Sequence, residues 1–187
     1  MHALMLGLGM AAALVAAAAP APALAAGFTV VTPDFTNGGM ISMAQVFGAC
    51  QGRNHSPALS WSGEPAGTQS FAVTLFDPDA PTGSGFWHWT LFDIPASVHS
   101  LPAGAGDAGS IALPPGAVEG RIDFGLNHYA GPCPPPGPPH HYELTVYAVK
   151  IAKLPLDADA SGARVGFQLH YNTLAKAQIV GLYGRPK

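Results

Sequence analysis

The run Ser70-Phe71-Ala72-Val73-Thr74-Leu75-Phe76, cut off by Asp77-Pro78-Asp79-Ala80-Pro81, constrains this chain more than any other segment. The run is apolar and rich in β-branched and aromatic residues, so it reads as a buried strand. The prolines that follow have fixed φ and no N–H, so the strand cannot continue and the loop is stiff. Asp77 and Asp79 are therefore held at a strand end. Phe86-Trp87-His88-Trp89 comes soon after, bringing an imidazole and two indoles beside the two carboxylates. This mixture suits a shaped polar pocket better than a plain core.

The same punctuation recurs along the chain. Its 23 glycines and 19 prolines separate short strand-like runs instead of forming low-complexity tracts, which argues for a folded domain with many turns. Strands are expected at 28–31, from Leu59, at 70–76 and at 88–94, the last stopped by Pro95. Residues 101–120 read as a long loop, and 121–124 as a short pairing segment. From 140 to 150 the sequence alternates, with Tyr142, Leu144, Val146 and Ala148 on one face, as a core-lining strand requires. A helix is expected from about Ser161 to Ala177, with Phe167, Tyr171 and Leu174 as its apolar face, and a last strand over 178–183. The fold class is mainly β, an antiparallel sandwich with a C-terminal helix. No repeat or linker divides it, so 27–187 reads as a single domain.

The first 26 residues read differently. Ala3 to Ala19 is almost unbroken apolar sequence, and Ala23-Leu24-Ala25 offers an A-x-A cleavage site, the pattern of a secretory signal peptide. The expected location is periplasmic or secreted, with no integral membrane segment after cleavage. With 8 Lys/Arg against 11 Asp/Glu, and no basic run, nucleic acid and anionic membrane surfaces are poor partners. Two cysteines, Cys50 and Cys133, suit a disulfide in an exported chain.

Asp77 and Asp79, Trp87-His88-Trp89 and His140-His141-Tyr142 each lie beside Pro, Gly or aromatic residues at a strand end. If those ends converge, Asp77, His88, His140 and Tyr142 line one cavity, with Asp79, Trp87 and Trp89 as its support. Metal binding lacks the H-x-x-x-H or H-x-H spacing, so no metal or other cofactor is expected. Hydrolysis lacks a G-x-S-x-G nucleophile elbow, so no catalytic residue is assigned. Capture of a small anion suits imidazoles and a phenol, although Asp77 would repel a bare anion unless a proton is shared or the ligand also carries an amine. An Asp77–His88 hydrogen-bonded pair of purely structural value is the plain alternative.

Taken together, these segments resemble the phosphatidylethanolamine-binding protein family, especially bacterial members related to Raf kinase inhibitor protein. The likeness runs through Asn54-His55-Ser56-Pro57-Ala58-Leu59-Ser60-Trp61, Asp77-Pro78-Asp79-Ala80-Pro81, Thr82 to Trp89, Asp93-Ile94-Pro95, Asp123-Phe124-Gly125, Tyr129 with Gly131-Pro132, Pro134-Pro135, and His140-His141-Tyr142. It implies a Greek-key β-sandwich and a pocket for phosphate-like or phospholipid head groups. The ligand-binding positions it implies are Asp77, His88, His140 and Tyr142, with Gly131 and Pro134 on the closing loop. A Cys50–Cys133 bond would brace that pocket. Two departures remove fixed positive charge: His141 stands where relatives often carry Arg, and Pro136 where many carry Lys. Anion binding is then expected to strengthen on mild acidification. The function implied is a non-enzymatic binding protein; the alternative is a regulator that binds and inhibits an enzyme, as a kinase or protease inhibitor does.

Overall fold

The computed structural model describes residues 27–187; the expected signal peptide and its cleavage site lie outside the described residues. Nine strands and one helix follow in order: β1 Thr29–Val31, β2 Gly39–Met40, β3 Leu59–Ser62, β4 Ser70–Asp77, β5 Phe86–Pro95, β6 Ser100–Leu101, β7 Val118–Glu119, β8 His140–Val149, α1 Gly162–Asn172 and β9 Thr173–Tyr183. A three-stranded sheet, β1-β3-β6, faces a six-stranded sheet, β2-β9-β8-β4-β5-β7. Pairing is antiparallel, as expected for most of the domain, except for β2, which joins β9 in parallel through Gly39 and Met40.

The core follows the alternation of the long strands. Tyr142, Leu144, Val146 and Ala148 of β8 are fully buried between the sheets, with Phe71, Val73 and Leu75 of β4 and Trp61 of β3. A second, smaller cluster lies on the outer face of the large sheet, where Ala72, Phe92 and Val149 meet Val165 and Leu169 of α1. The molecule therefore has three layers: small sheet, large sheet, helix.

The helix differs from expectation in both length and facing. It stops at Asn172, and β9 begins at once, because Thr173–Tyr183 pairs with β8 along nearly its whole length. Its buried residues are Gly162, Val165 and Leu169, while Phe167 and Tyr171 are exposed. Phe167 and Tyr171 stand two positions beyond Val165 and Leu169, about 200° around the axis, so they point away from the sheet. Close approach sets this choice. A Cβ on Gly162 would fall 2.2 Å from Cγ of Trp87, and Gly166 also faces that indole. The small-residue face lets the helix lie on β5; the aromatic face cannot. Of the expected pairing at 121–124, only an isolated bridge from Arg121 to Ser161 is present.

Candidate functional site

At the end of the large sheet where β4 closes and β8 opens, a cavity of about 210 Å³ is lined by Asp77, His88, His140 and Tyr142. Its rim carries Ala80, Pro81 and Thr82 of the β4–β5 loop, Phe86, Phe124, and the Cys133-Pro134-Pro135 segment. Three neighbouring strands supply the polar groups. Asp77 is the last residue of β4, and His140 and Tyr142 lie two apart on β8.

His88 arrives by an irregularity. Leu75 pairs with Trp89 and Phe76 with Trp87, so His88 is an extra residue on β5. Such a bulge re-aims side chains. Here it turns His88 toward the cavity while Trp87 stays under the helix and Trp89 enters the sandwich core, donating from Nε1 to Glu119 Oε1 at 2.9 Å. Neither indole is among the residues that line the cavity.

The Asp77 carboxylate is buried and tied on both oxygens. Oδ1 accepts the Asp79 N–H at 2.9 Å, and Oδ2 lies 2.8 Å from His140 Nδ1. No Asp77–His88 pair forms. His88 Nδ1 instead lies 2.7 Å from the Ala130 carbonyl. A carbonyl only accepts, so Nδ1 carries the proton and Nε2 of the neutral ring holds a lone pair. Burial drives the His88 pKa down, partly opposed by the Ala130 carbonyl, and so favours the neutral ring.

Tyr142 is fully buried, and its hydroxyl makes no hydrogen bond of ordinary geometry, although the Asp77 carboxylate is near enough to act on it. Burial first, and then the charge and hydrogen-bonding pull of Asp77, push its pKa up, so it remains a donor. Asp79 lies outside the cavity lining, where its Oδ2 accepts from the His141 N–H and lies 2.7 Å from His141 Nδ1. The His141 backbone bond, then its side chain, lower the Asp79 pKa and keep it ionised. It braces the loop onto β8.

The proline wall lacks N–H donors of its own, so other segments hold it. Phe47 N–H donates to the Pro132 carbonyl, and Arg185 Nε donates to that of Pro134 at 2.8 Å. Gly131 is behind the cavity surface: its N–H donates to Asn54 Oδ1, and its backbone presses so close to Gln45 that a Cβ would lie 1.8 Å from that carbonyl oxygen. A disulfide joins Cys50 to Cys133 across 83 residues and fixes the same wall. The sequence reading missed Asn54 Nδ2, which donates to the Tyr129 carbonyl, and Arg185; both act through backbone groups that leave no pattern in sequence. It also missed Phe86 and Phe124, whose rings meet at 4.8 Å on the rim.

No group of three metal-ligating side chains occurs among the described residues, and none of their helices is long and apolar enough to cross a membrane. The sequence model of the phosphatidylethanolamine-binding protein family matches residues 31–184. The chain is 50% identical to the protein YbcL of Escherichia coli K12 over 164 residues, which is 86% of this chain and 90% of that one. It is 44% identical to YbhB of the same organism, over 82% of this chain and 98% of that one. The crystal structure of YbcL, described as a member of the mammalian PEBP family, superposes with a TM-score of 0.83 at 49% identity, covering 85% of this chain and 99% of that one.

Proposed function

The chain belongs to the phosphatidylethanolamine-binding protein family, and we propose that it is an exported, non-enzymatic binding protein whose cavity takes a small anionic or phosphorylated group, such as a phospholipid head group. The observation that carries this reading is the convergence of Asp77, His88, His140 and Tyr142 on one cavity, where the Tyr142 hydroxyl has no well-formed hydrogen bond. A ligand oxygen would complete that buried O–H, whose unmet hydrogen bond costs about 1–3 kcal/mol. Asp77, His88, His140 and Tyr142 are the proposed ligand-binding residues, with Gly131 and Pro134 as wall.

Binding without turnover is supported by what the lining lacks. Its sulfur, on Cys133, is committed to the disulfide, and its Thr82 hydroxyl donates to the Gly85 carbonyl. Neither is a free nucleophile beside a base. The disulfide also supports export, since such bonds persist in oxidising compartments.

Isothermal titration with inorganic phosphate and phosphoethanolamine tests the reading. We expect saturable binding that Tyr142→Phe weakens by roughly ten- to a hundredfold, the value of a hydrogen bond to a charged acceptor. Absence of binding by both ligands, and by phosphatidylethanolamine vesicles, would overturn it.

A further inference from the structure

We propose that Asn37 is a spontaneous modification site, an Asn-Gly pair that is closed to deamidation while β2 is paired with β9 and opens when β2 detaches. Its isoaspartyl product cannot rebuild the β2 edge, so each loss of that edge leaves a covalent record.

Of the chain's four asparagines, only Asn37 precedes a glycine; Asn54 and Asn127 precede histidine, and Asn172 precedes threonine. Gly38 is required where it stands, because its φ of 75° is one that side chains rarely adopt. The same lack of a side chain leaves its backbone nitrogen unobstructed. In deamidation that nitrogen loses its proton and attacks Asn37 Cγ. The N–Cγ bond forms, the Cγ–Nδ2 bond breaks, and Nδ2 leaves as ammonia with the proton the nitrogen gave up. Water then opens the cyclic imide to aspartate through one carbonyl or to isoaspartate through the other. Asn37, Gly38 and water are the only reactants.

In the fold a single residue of β9 holds both reacting groups. Gly38 N–H donates to the Val180 carbonyl at 2.7 Å, and Val180 N–H donates to Asn37 Oδ1 at 2.8 Å. The carboxamide thus stands in for a strand carbonyl and adds a rung below the parallel pairing of Gly39 and Met40. The lone pair of a deprotonated Gly38 nitrogen would lie along its former N–H bond, aimed at β9 and away from Cγ. Asn37 and Gly38 are exposed, so water already reaches them. The two hydrogen bonds, and not burial, close the site.

The edge they depend on opens at low cost. β2 is two residues long and lies at the border of the large sheet, with few bonds to break. Its main anchor is Ile41, whose N–H donates to the Leu182 carbonyl and whose side chain presses on Gly181. The isoaspartyl link runs the main chain through Cβ and Cγ. It lengthens the backbone by one atom and turns the Oδ1 rung into main chain, so the register at Gly39 and Met40 is lost.

Peptide mapping by mass spectrometry tests this on the purified protein, incubated in mildly alkaline buffer either folded or in concentrated urea with the disulfide intact. Conversion at Asn37 should be about tenfold or more slower in the folded protein. Ile41→Val trims the anchor and leaves both bonds to Val180 in place; it should speed conversion of the folded protein about two- to tenfold. Hydrogen exchange on the separated isoaspartyl form should show the Ile41 amide exchanging fast. No conversion in urea overturns the site, and equal conversion in both states overturns its closure by β9. Faster conversion in the folded protein also overturns closure, since Val180 N–H would then be stabilising the oxyanion of the attack. An isoaspartyl form with the Ile41 amide still protected overturns the covalent record.

Discussion

The two faces of the large sheet present aromatic residues to opposite fates. On the inner face, at the start of β5, Phe86 and His88 join Phe124 and Tyr142 to line a cavity. On the far face of the same sheet, Phe167 and Tyr171 of α1 meet edge to face with ring centroids 5.1 Å apart and face outward. What separates the two regions is how closely backbone can approach. The cavity wall is pulled in by the disulfide, by Asn54 and Phe47, and by Gly131 against Gln45. The helix is pulled in by Gly162 and Gly166 over Trp87, which leaves its aromatic residues on the other side. In both places glycine determines which face is buried, and the aromatic residues take the positions that remain.

Breaking the wall should have the largest effect. Replacing both Cys50 and Cys133 with alanine releases an 83-residue closure and is expected to cost about 4–5 kcal/mol in the chain-entropy account. Urea unfolding measures it; a change below about 1 kcal/mol would mean that the hydrogen bonds alone hold the wall. Gly131→Ala comes next. Its Cβ meets a backbone carbonyl that cannot swing aside, so a loss of about 3 kcal/mol is expected. Gly166→Ala is the matched change under the helix, where the added Cβ would sit 3.4 Å from the Trp87 ring. There the better helix propensity of alanine should give a gain of about 0.5–1 kcal/mol. Equal losses at both glycines would erase the distinction between backbone-tight and side-chain-tight contacts.

Titration sharpens the comparison further. Burial lowers the His88 pKa, so the unfolded chain binds more protons as pH falls below about 6.5, and stability is lost in that direction. Glu119 behaves oppositely. Burial raises its pKa to about 7 despite the Trp89 hydrogen bond. Its contribution is complete below the unfolded value near 4.5 and is lost as pH rises through 7. Glu119→Gln keeps an acceptor for Trp89 and removes the titration. It should stabilise the protein at pH 8 by about 1 kcal/mol, after discounting for partial exposure, and change little at pH 4. Denaturation curves at the two pH values decide it, and an unchanged pH slope would reject Glu119 as the source.

Much of the sandwich is legible in the sequence because strand periodicity is local: Tyr142, Leu144, Val146 and Ala148 declare their buried face by alternation alone. The four polar cavity residues are legible for a chemical reason, since titratable groups beside Pro or Gly at strand ends have few other uses. The bulge at His88, which sets where Trp87 and Trp89 point, is not legible because it depends on how the partner strand pairs. The helix misleads for a similar reason. Thr173–Ala177 carries helical spacing, but the β8 ladder captures it, and Gly162 and Gly166 gain their meaning only once Trp87 lies beneath them.

The smallest expected effect is also the most direct check on the outward aromatic face. Phe167 and Tyr171 are 61% and 60% exposed, so truncating them removes little buried apolar area. Had they formed the packed face, Phe167→Ser with Tyr171→Ser would cost several kcal/mol, since burying one large apolar side chain contributes about 1.5–3 kcal/mol. With Val165 and Leu169 in that role, the double variant should stay within about 0.5 kcal/mol of the parent in urea unfolding. Val165→Ala, by contrast, removes buried methyl groups from the cluster with Phe92 and Leu154 and should cost about 1–3 kcal/mol. A reversed ranking would place the aromatic stripe against the sheet and undo the glycine account of the helix.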